Sequence, residues 1–236
     1  MKERLTDELN NRFTDASPEQ VIEYFLKEYH GKILQASSMG PEDQVITHMI
    51  AAIDKRTRIV TLDTGRLFEE TYDLIEKTNE KYGIAIEILF PDFNQVQEMT
   101  GRYGINLFYK SLDNRKMCCN IRKDEPISRV LKGQAAWICG LRKDQMVTRF
   151  FNKLVEWDVR HELIRVNPLI NWSEKQVWSY IRENDIPYNI LHDRGYPSIG
   201  CEPCTRDIQP GEDSRAGRWW WEQPEQKECG LHNGDV

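Results

Sequence analysis

Val21, Ile22, Phe25, Leu26 and Tyr29 fall on one face of a helix. The polar segment before them opens it, with Ser17 as N-cap, Pro18 in the first turn and Gln20 closing a capping box. A short run at 32–36 then predicts a strand, Ser37-Ser38-Met39-Gly40-Pro41-Glu42-Asp43 a loop, and Val45, Ile46, Met49, Ile50 and Ile53 a second helix. The pattern repeats: residues 59–62 read as an apolar strand, Asp63-Thr64-Gly65-Arg66 as a loop, 67–82 as a charged amphipathic helix and 84–90 as a third strand. Further strands are predicted at 135–139 and 163–166, with helical patterns before, between and after them. The last helix opens at Ser173 with Gln176 as its capping partner. Strands alternating with helices imply an α/β fold, a parallel sheet covered on both faces.

From Gly195 onward no period is sustained, and the chain is rich in Gly, Pro, charge and Trp, which predicts a loop-rich lobe and a mobile tail. The expected organisation is a single domain over residues 1–210 and a C-terminal tail over 211–236. With 236 residues, 39% of them hydrophobic and 30% charged, the chain can bury one substantial core. No apolar run approaches the length that spans a bilayer, and the N-terminal MKERLTDELNNRF lacks the apolar centre of a signal peptide, so a cytoplasmic protein is expected.

A reducing compartment makes the six cysteines metal ligands or reactive thiols rather than disulfide partners. The net charge of −6 argues against a nucleic-acid partner. Basic residues cluster locally nonetheless: Lys110, Arg115, Lys116, Arg122 and Lys123 around Cys118 and Cys119, Arg142, Lys143 and Arg149 after Cys139, and Arg215 and Arg218 after Cys204. Local positive charge in an acidic chain points to a small anionic substrate, with ordinary solvated faces as the plainer alternative.

Ligands of open parallel sheets bind beyond the carboxyl ends of the strands. Ser37-Ser38-Met39-Gly40 offers hydroxyls and a following helix N-terminus to an anion, without the Lys-Ser/Thr of a P-loop. Asp63-Thr64-Gly65-Arg66 adds a carboxylate suited to a ribose or base edge and an arginine suited to an anion. Taken singly, each loop reads first as a turn shaped by Gly40 or Gly65, with Ser38 capping a helix.

Cys118-Cys119 and Cys201-Glu202-Pro203-Cys204 supply four thiolates, enough for a tetrahedral zinc or a cubane iron–sulfur cluster. Adjacent cysteines aim poorly at one ion, whereas a 4Fe-4S cluster offers them different irons, which favours the cluster. Zinc, or plain burial of Cys118 and Cys119 in the core, stays the alternative. Cys139 ends a predicted strand without a partner at ligand spacing and belongs to the core. Cys229 lies in the polar Lys227-Glu228-Cys229-Gly230-Leu231-His232, where His232 or nearby arginines could hold it as a thiolate. An incidental tail thiol is the other reading.

These motifs, SSMGPED at 37–43, LDTGRLFEETY at 62–72, CCNIRK at 118–123, CGLRKDQ at 139–145, GYPSIGCEPCT at 195–205, EDSRAGRWW at 212–220 and ECGLH at 228–232, closely resemble those of the assimilatory sulfonucleotide reductases. The resemblance is to the cluster-containing adenylylsulfate reductase type. It implies a Rossmann-like, adenine nucleotide alpha-hydrolase-like domain with one 4Fe-4S cluster per chain on Cys118, Cys119, Cys201 and Cys204. It also implies Cys229 as nucleophile and Lys123 as a link between cluster and substrate. Lys123 would surround the phosphosulfate with Arg142, Arg215, Arg218 and His232, while Ser37, Ser38, Asp63, Thr64, Gly65 and Arg66 match the nucleotide-binding loops. Met39 and Met146 depart from the usual family residues without removing a reacting group.

The implied reaction is thioredoxin-dependent reduction of adenylylsulfate to sulfite and AMP through an S-sulfocysteine on Cys229, with phosphoadenylylsulfate as an alternative or additional substrate. A homo-oligomer is compatible with the sequence, and no membrane partner is expected. An ATP-dependent tRNA thiolation enzyme would need a basic RNA surface and an SGGxDS-type loop; the acidic balance and the lack of such a loop speak against it. A non-catalytic redox sensor would leave the two strand-end loops and the scattered cations without a task.

Overall fold

A computed structural model describes residues 2–145 and 152–223. In chain order the elements are α1 (Lys2–Arg12), α2 (Pro18–Glu28), β1 (Ile33–Ser37), α3 (Pro41–Ile53), β2 (Arg58–Leu62), α4 (Glu69–Tyr82), β3 (Glu87–Leu89) and α5 (Phe93–Tyr103). They continue with α6 (Leu112–Cys119), α7 (Glu125–Leu131), β4 (Ala136–Ile138), β5 (Val155–Asp158), β6 (Leu163–Val166) and α8 (Glu174–Glu183). Both expected capping boxes form. Ser17 Oγ accepts from the Gln20 amide at 3.3 Å while the Ser17 amide donates to Gln20 Oε1 at 2.9 Å, and Ser173 and Gln176 repeat the exchange at 3.3 and 2.8 Å.

The six strands lie in the order β3-β2-β1-β4-β6-β5. β1 runs parallel to β2 and to β4, and β4 parallel to β6. The chain leaves β1 toward one edge and returns as β4 on the other side, so strand order reverses between β1 and β4, where open α/β sheets bind ligands. β1 and β4 are almost wholly buried, as strands with both faces covered must be. The sheet is mostly parallel rather than wholly so. The expectation missed β5, which pairs antiparallel with β6 from Val155↔Val166 to Asp158↔Leu163. Its sequence Val-Glu-Trp-Asp alternates apolar and polar and is only four residues long, too weak a period to announce a strand. The third strand shrinks from the expected 84–90 to Glu87–Leu89.

Two compact units interleave along the chain. The first comprises Met1–Thr61, Asp73–Glu87 and Leu131–Asn189, the second Leu62–Tyr72, Ile88–Val130 and Ile190–Val236. In the first, Val21, Ile22, Phe25, Leu34, Ile46, Ile50 and Trp137 are buried core. In the second, Met99, Leu107, Phe108 and Trp219 pack with Cys119, Cys201 and Cys204 into one apolar cluster. Among the described residues, no helix is long and apolar enough to cross a membrane.

The edge strand β5 is closed by a side chain that imitates a neighbouring backbone. Asn10 of α1 donates from Nδ2 to the Val155 carbonyl at 2.8 Å and accepts at Oδ1 from the Val155 amide at 3.1 Å. Asn10→Ala strands both groups of Val155. It is expected to lower stability by about 1–2 kcal/mol, seen as a lower urea midpoint at unchanged slope.

Candidate active site

The sequence-predicted site residues divide between the two units. In the first, Ser37 ends β1, and Ser38-Met39-Gly40 lead into α3. Gly40, not Ser38, is the N-cap of α3, and it makes no side-chain cap bond. Ser38 instead donates from its amide at 2.7 Å and its hydroxyl at 2.6 Å to Asp43 Oδ2. Met39 takes a left-handed backbone with φ 61°, which the surrounding bonds hold in place. Its amide donates to Ser37 Oγ at 3.1 Å, and Ser37 Oγ contacts its sulfur at 3.5 Å.

Beneath this loop lies a buried polar network. Gln35 donates to the Asp43 carbonyl at 2.9 Å and accepts from Thr47 Oγ1 at 3.0 Å, and Thr78 Oγ1 donates to Gln44 Oε1 at 3.2 Å. Satisfied networks of this kind fix one loop conformation in advance of any ligand. Gly140, just after β4, belongs to the same arrangement: a Cβ there would stand 2.5 Å from Asp43 Oδ1 and 3.0 Å from Glu42 Cβ, so only glycine fits. Arg142 is buried, and its Nε donates to Glu42 Oε1 at 2.7 Å and its Nη1 to Asp144 Oδ2 at 3.2 Å. Glu42, Asp43 and Gly140 thus join the loops after β1 and β4. Their motifs carry the family resemblance, but nothing local in the sequence marks these three residues for this role. Cys139 is buried as expected, and burial pushes its thiol well up.

In the second unit both cysteine pairs meet. Cys118 and Cys119 close α6, which passes into a π-helical turn, Asn120–Asp124, that carries Arg122 and Lys123. Cys201 precedes a short 3-10 turn, Glu202–Cys204, in which the Cys204 amide donates to the Cys201 carbonyl at 2.9 Å. Trp219 then donates its amide to the Cys204 carbonyl at 3.1 Å, and Thr205 bridges antiparallel to Arg218. All four thiols are free of disulfides. Burial pushes Cys118 up against the pull of Arg122 and Lys123, and pushes Cys204 up to about 12 against Lys123 and Arg218. Among the described residues, no three His, Cys, Asp or Glu side chains are gathered so as to hold a single metal ion.

The loop after β2 joins this set. Thr64 Oγ1 lies 3.2 Å from Cys201 Sγ, and its carbonyl accepts from Arg122 Nη1 at 2.5 Å. Gly65, at φ 69°, donates its amide to Asp63 Oδ1 at 2.7 Å, a turn that needs the left-handed region. Arg66 bonds the Ile105 carbonyl and Asn106 Oδ1 at 3.3 and 3.0 Å, and its backbone carbonyl accepts from the Glu202 amide at 2.8 Å. Arg218 is buried, donates to the Ile199 carbonyl at 3.0 Å and lies 4.8 Å over the Trp219 ring. Two buried donors here, Arg218 Nε and Trp219 Nε1, meet no acceptor among the described residues. Cys229 and His232 lie outside the described residues.

Residues 32–207 match the model of the phosphoadenosine phosphosulfate reductase domain. The chain is 52% identical over 200 residues to an adenosine 5'-phosphosulfate reductase of Allochromatium vinosum, covering 85% of this chain and 78% of that one. The chain belongs to the sulfonucleotide reductase family. A second relative of this sulfonucleotide reductase, named adenosine 5'-phosphosulfate reductase in Agrobacterium fabrum, is 48% identical over 202 residues, 86% of this chain and 78% of its own. Among solved structures, the phosphoadenylyl-sulfate reductase of Candida auris in its phosphate complex matches with a TM-score of 0.76 at 30% identity. It covers 87% of this chain and 98% of that one. The matched family span contains Ser37 through Cys204 and ends before Arg215, Arg218, Cys229 and His232.

Burial raises the Asp43 pKa from 3.8 to about 6, outweighing the two Ser38 bonds that lower it. A carboxyl whose folded pKa exceeds its unfolded one adds no cost below pH 4. It costs stability as pH rises from about 4 to about 6, reaching about 3 kcal/mol above that window. Asp43→Asn should therefore gain on the parent by about that amount between pH 4 and pH 7 in urea unfolding. A difference that stays constant across the window contradicts this reading of Asp43.

Proposed function

We propose that this sulfonucleotide reductase converts adenylylsulfate to sulfite and AMP in sulfate assimilation in the cytoplasm, with Cys229 as nucleophile and a thioredoxin as reductant. The observation that carries the substrate is the 52% identity with a relative named adenosine 5'-phosphosulfate reductase. Support for a 4Fe-4S cluster on Cys118, Cys119, Cys201 and Cys204 comes from the chemistry of their pocket. Four undisulfided thiols share it with basic side chains and with two buried donors that meet no acceptor among the described residues. When bound, the cluster supplies the metal charge that keeps its four sulfurs ionised in an apolar setting.

In the first step Cys229 Sγ bonds to the sulfate sulfur of adenylylsulfate. The bond from that sulfur to the bridging phosphate oxygen breaks, and AMP leaves with the electron pair. Lys123, Arg215, Arg218 and His232 are the groups we assign to the charge on the phosphosulfate. Arg142, held by Glu42, is assigned to the same anion, and Ser37, Ser38, Asp63, Thr64, Gly65 and Arg66 to the nucleotide. In the second step one thiolate of the reductant attacks Cys229 Sγ and sulfite leaves. The reductant's second thiol then displaces Cys229. The sulfate sulfur gains two electrons, the dithiol becomes a disulfide, and both thiol protons pass to solvent. Electrons reach sulfur from the dithiol alone, so the cluster has a structural and electrostatic task.

Anaerobic protein incubated with adenylylsulfate and no reductant should release about one AMP per chain and carry a sulfite adduct on Cys229 by intact mass, with neither seen in Cys229→Ser. Cluster-loaded protein that gives neither product sets the proposed first step aside.

A further inference from the structure

A buried ion pair in the second unit has no task in the scheme above. The side chain of Arg115 on α6 is 1% exposed and that of Glu222 5%, and they meet in a two-point contact, Nε to Oε1 at 2.9 Å and Nη2 to Oε2 at 2.8 Å. The same guanidinium stands 4.7 Å over the Trp219 ring and hydrogen-bonds the Cys119 thiol. Burying two charges is costly even when they pair, and a well-packed apolar pair of similar size serves stability as well or better. A fixed, directional link is what an ion pair adds.

That link joins two things. One end is the helix that presents Cys118 and Cys119. The other is the segment Trp219–Glu222, whose backbone is tied by the Trp219 amide to the Cys204 carbonyl at 3.1 Å and by the Glu222 amide to the Trp219 carbonyl at 2.8 Å. Cys229 is seven residues beyond Glu222. Seven residues at full extension span about 25 Å, so wherever Glu222 is fixed sets the sphere within which Cys229 can act.

We propose that Arg115 and Glu222 are positioning residues: their ion pair fixes the origin of the Cys229 segment to the cysteine-bearing helix. Delivery of the nucleophile thereby depends on the integrity of the four-cysteine pocket. The inference rests on the reading of Cys229 as nucleophile. Arg115 touches no substrate in this scheme. It acts through Glu222 on the segment.

The test uses the full-length, cluster-loaded protein and two variants. Glu222→Gln leaves a buried guanidinium without its counter-charge. The double variant Arg115→Met/Glu222→Met removes the pair without stranding a charge, and so keeps the question answerable if the first folds poorly. Three readouts are taken together: iron and labile sulfide content, affinity for AMP, and the rate of AMP release in a single turnover without reductant. Amide hydrogen exchange over residues 219–222 is followed alongside. The expected result is unchanged cluster content and AMP affinity, exchange at 219–222 raised while that of 112–119 is kept, and AMP release slowed about tenfold or more. Glu222→Asp, which keeps the charge, should recover part of the rate.

AMP release at the parent rate in the double variant overturns the proposal. Loss of iron in the double variant also overturns it, because the pair then serves the folding of the pocket and nothing beyond. If the parent protein itself releases no AMP, the reaction reading has failed, and the exchange data still decide the anchor: unchanged protection at 219–222 refutes it.

Discussion

Four thiols gathered in one apolar pocket, with Cys119, Cys201 and Cys204 buried and Cys118 half-buried, are the constraint on which the second unit is built. A thiolate in such surroundings is costly, and burial accordingly pushes Cys118 and Cys204 upward. The chain counters this with cations from separate segments. Arg122 and Lys123 come from the π-helical turn directly after Cys119, and Arg218 from the strand-like bridge that follows Cys204. The wider π turn matters here because it re-phases the helix immediately after the cysteines, and Arg122 reaches the Thr64 carbonyl from it. The pocket thereby holds the loop after β2 by three bonds, between the Thr64 hydroxyl and Cys201, from the Arg122 guanidinium to the Thr64 carbonyl and from the Glu202 amide to the Arg66 carbonyl. A loop proposed to hold nucleotide and a pocket proposed to hold a metal cluster are parts of one structure.

The first unit solves a different problem, the rigidity of a loop at the point where strand order reverses. It does so with buried polar groups rather than with apolar packing alone. Gln35 in the middle of β1, Gln44 and Thr47 on α3 and Thr78 on α4 satisfy one another beneath Ser38-Met39-Gly40. Asp43 and Glu42 then tie that loop to Gly140 and Arg142 after β4, the neighbouring strand across the reversal. An arginine assigned to an anion is therefore already paired with carboxylates, and its direction is set by the protein in advance.

How much of this was legible in the sequence depended on whether the signal was local. The capping boxes at Ser17 and Ser173 are four-residue patterns, and both form as read. The strands beside the reversal are short, mostly apolar runs and were located to within a residue or two. β5 was not seen, because a four-residue edge strand with alternating polarity resembles a loop. The meeting of the two cysteine pairs followed from their number and spacing. The partners of the cations did not: the Glu42–Arg142 pair joins residues a hundred positions apart, and the Arg115–Glu222 pair residues 107 apart. No periodicity encodes such contacts. Ser38 shows the limit from the other side. As a Ser ahead of a helix it suits a cap, yet a buried aspartate within reach takes its hydroxyl instead.

The central claim is that Cys118, Cys119, Cys201 and Cys204 act as one ligand set for an iron–sulfur cluster, and metal analysis with Mössbauer spectroscopy on anaerobically purified, iron-57-enriched protein tests it most directly. The account predicts about four iron and four labile sulfides per chain with the spectrum of a single cubane, lost on replacing Cys204 by serine. One zinc per chain with no labile sulfide would contradict it.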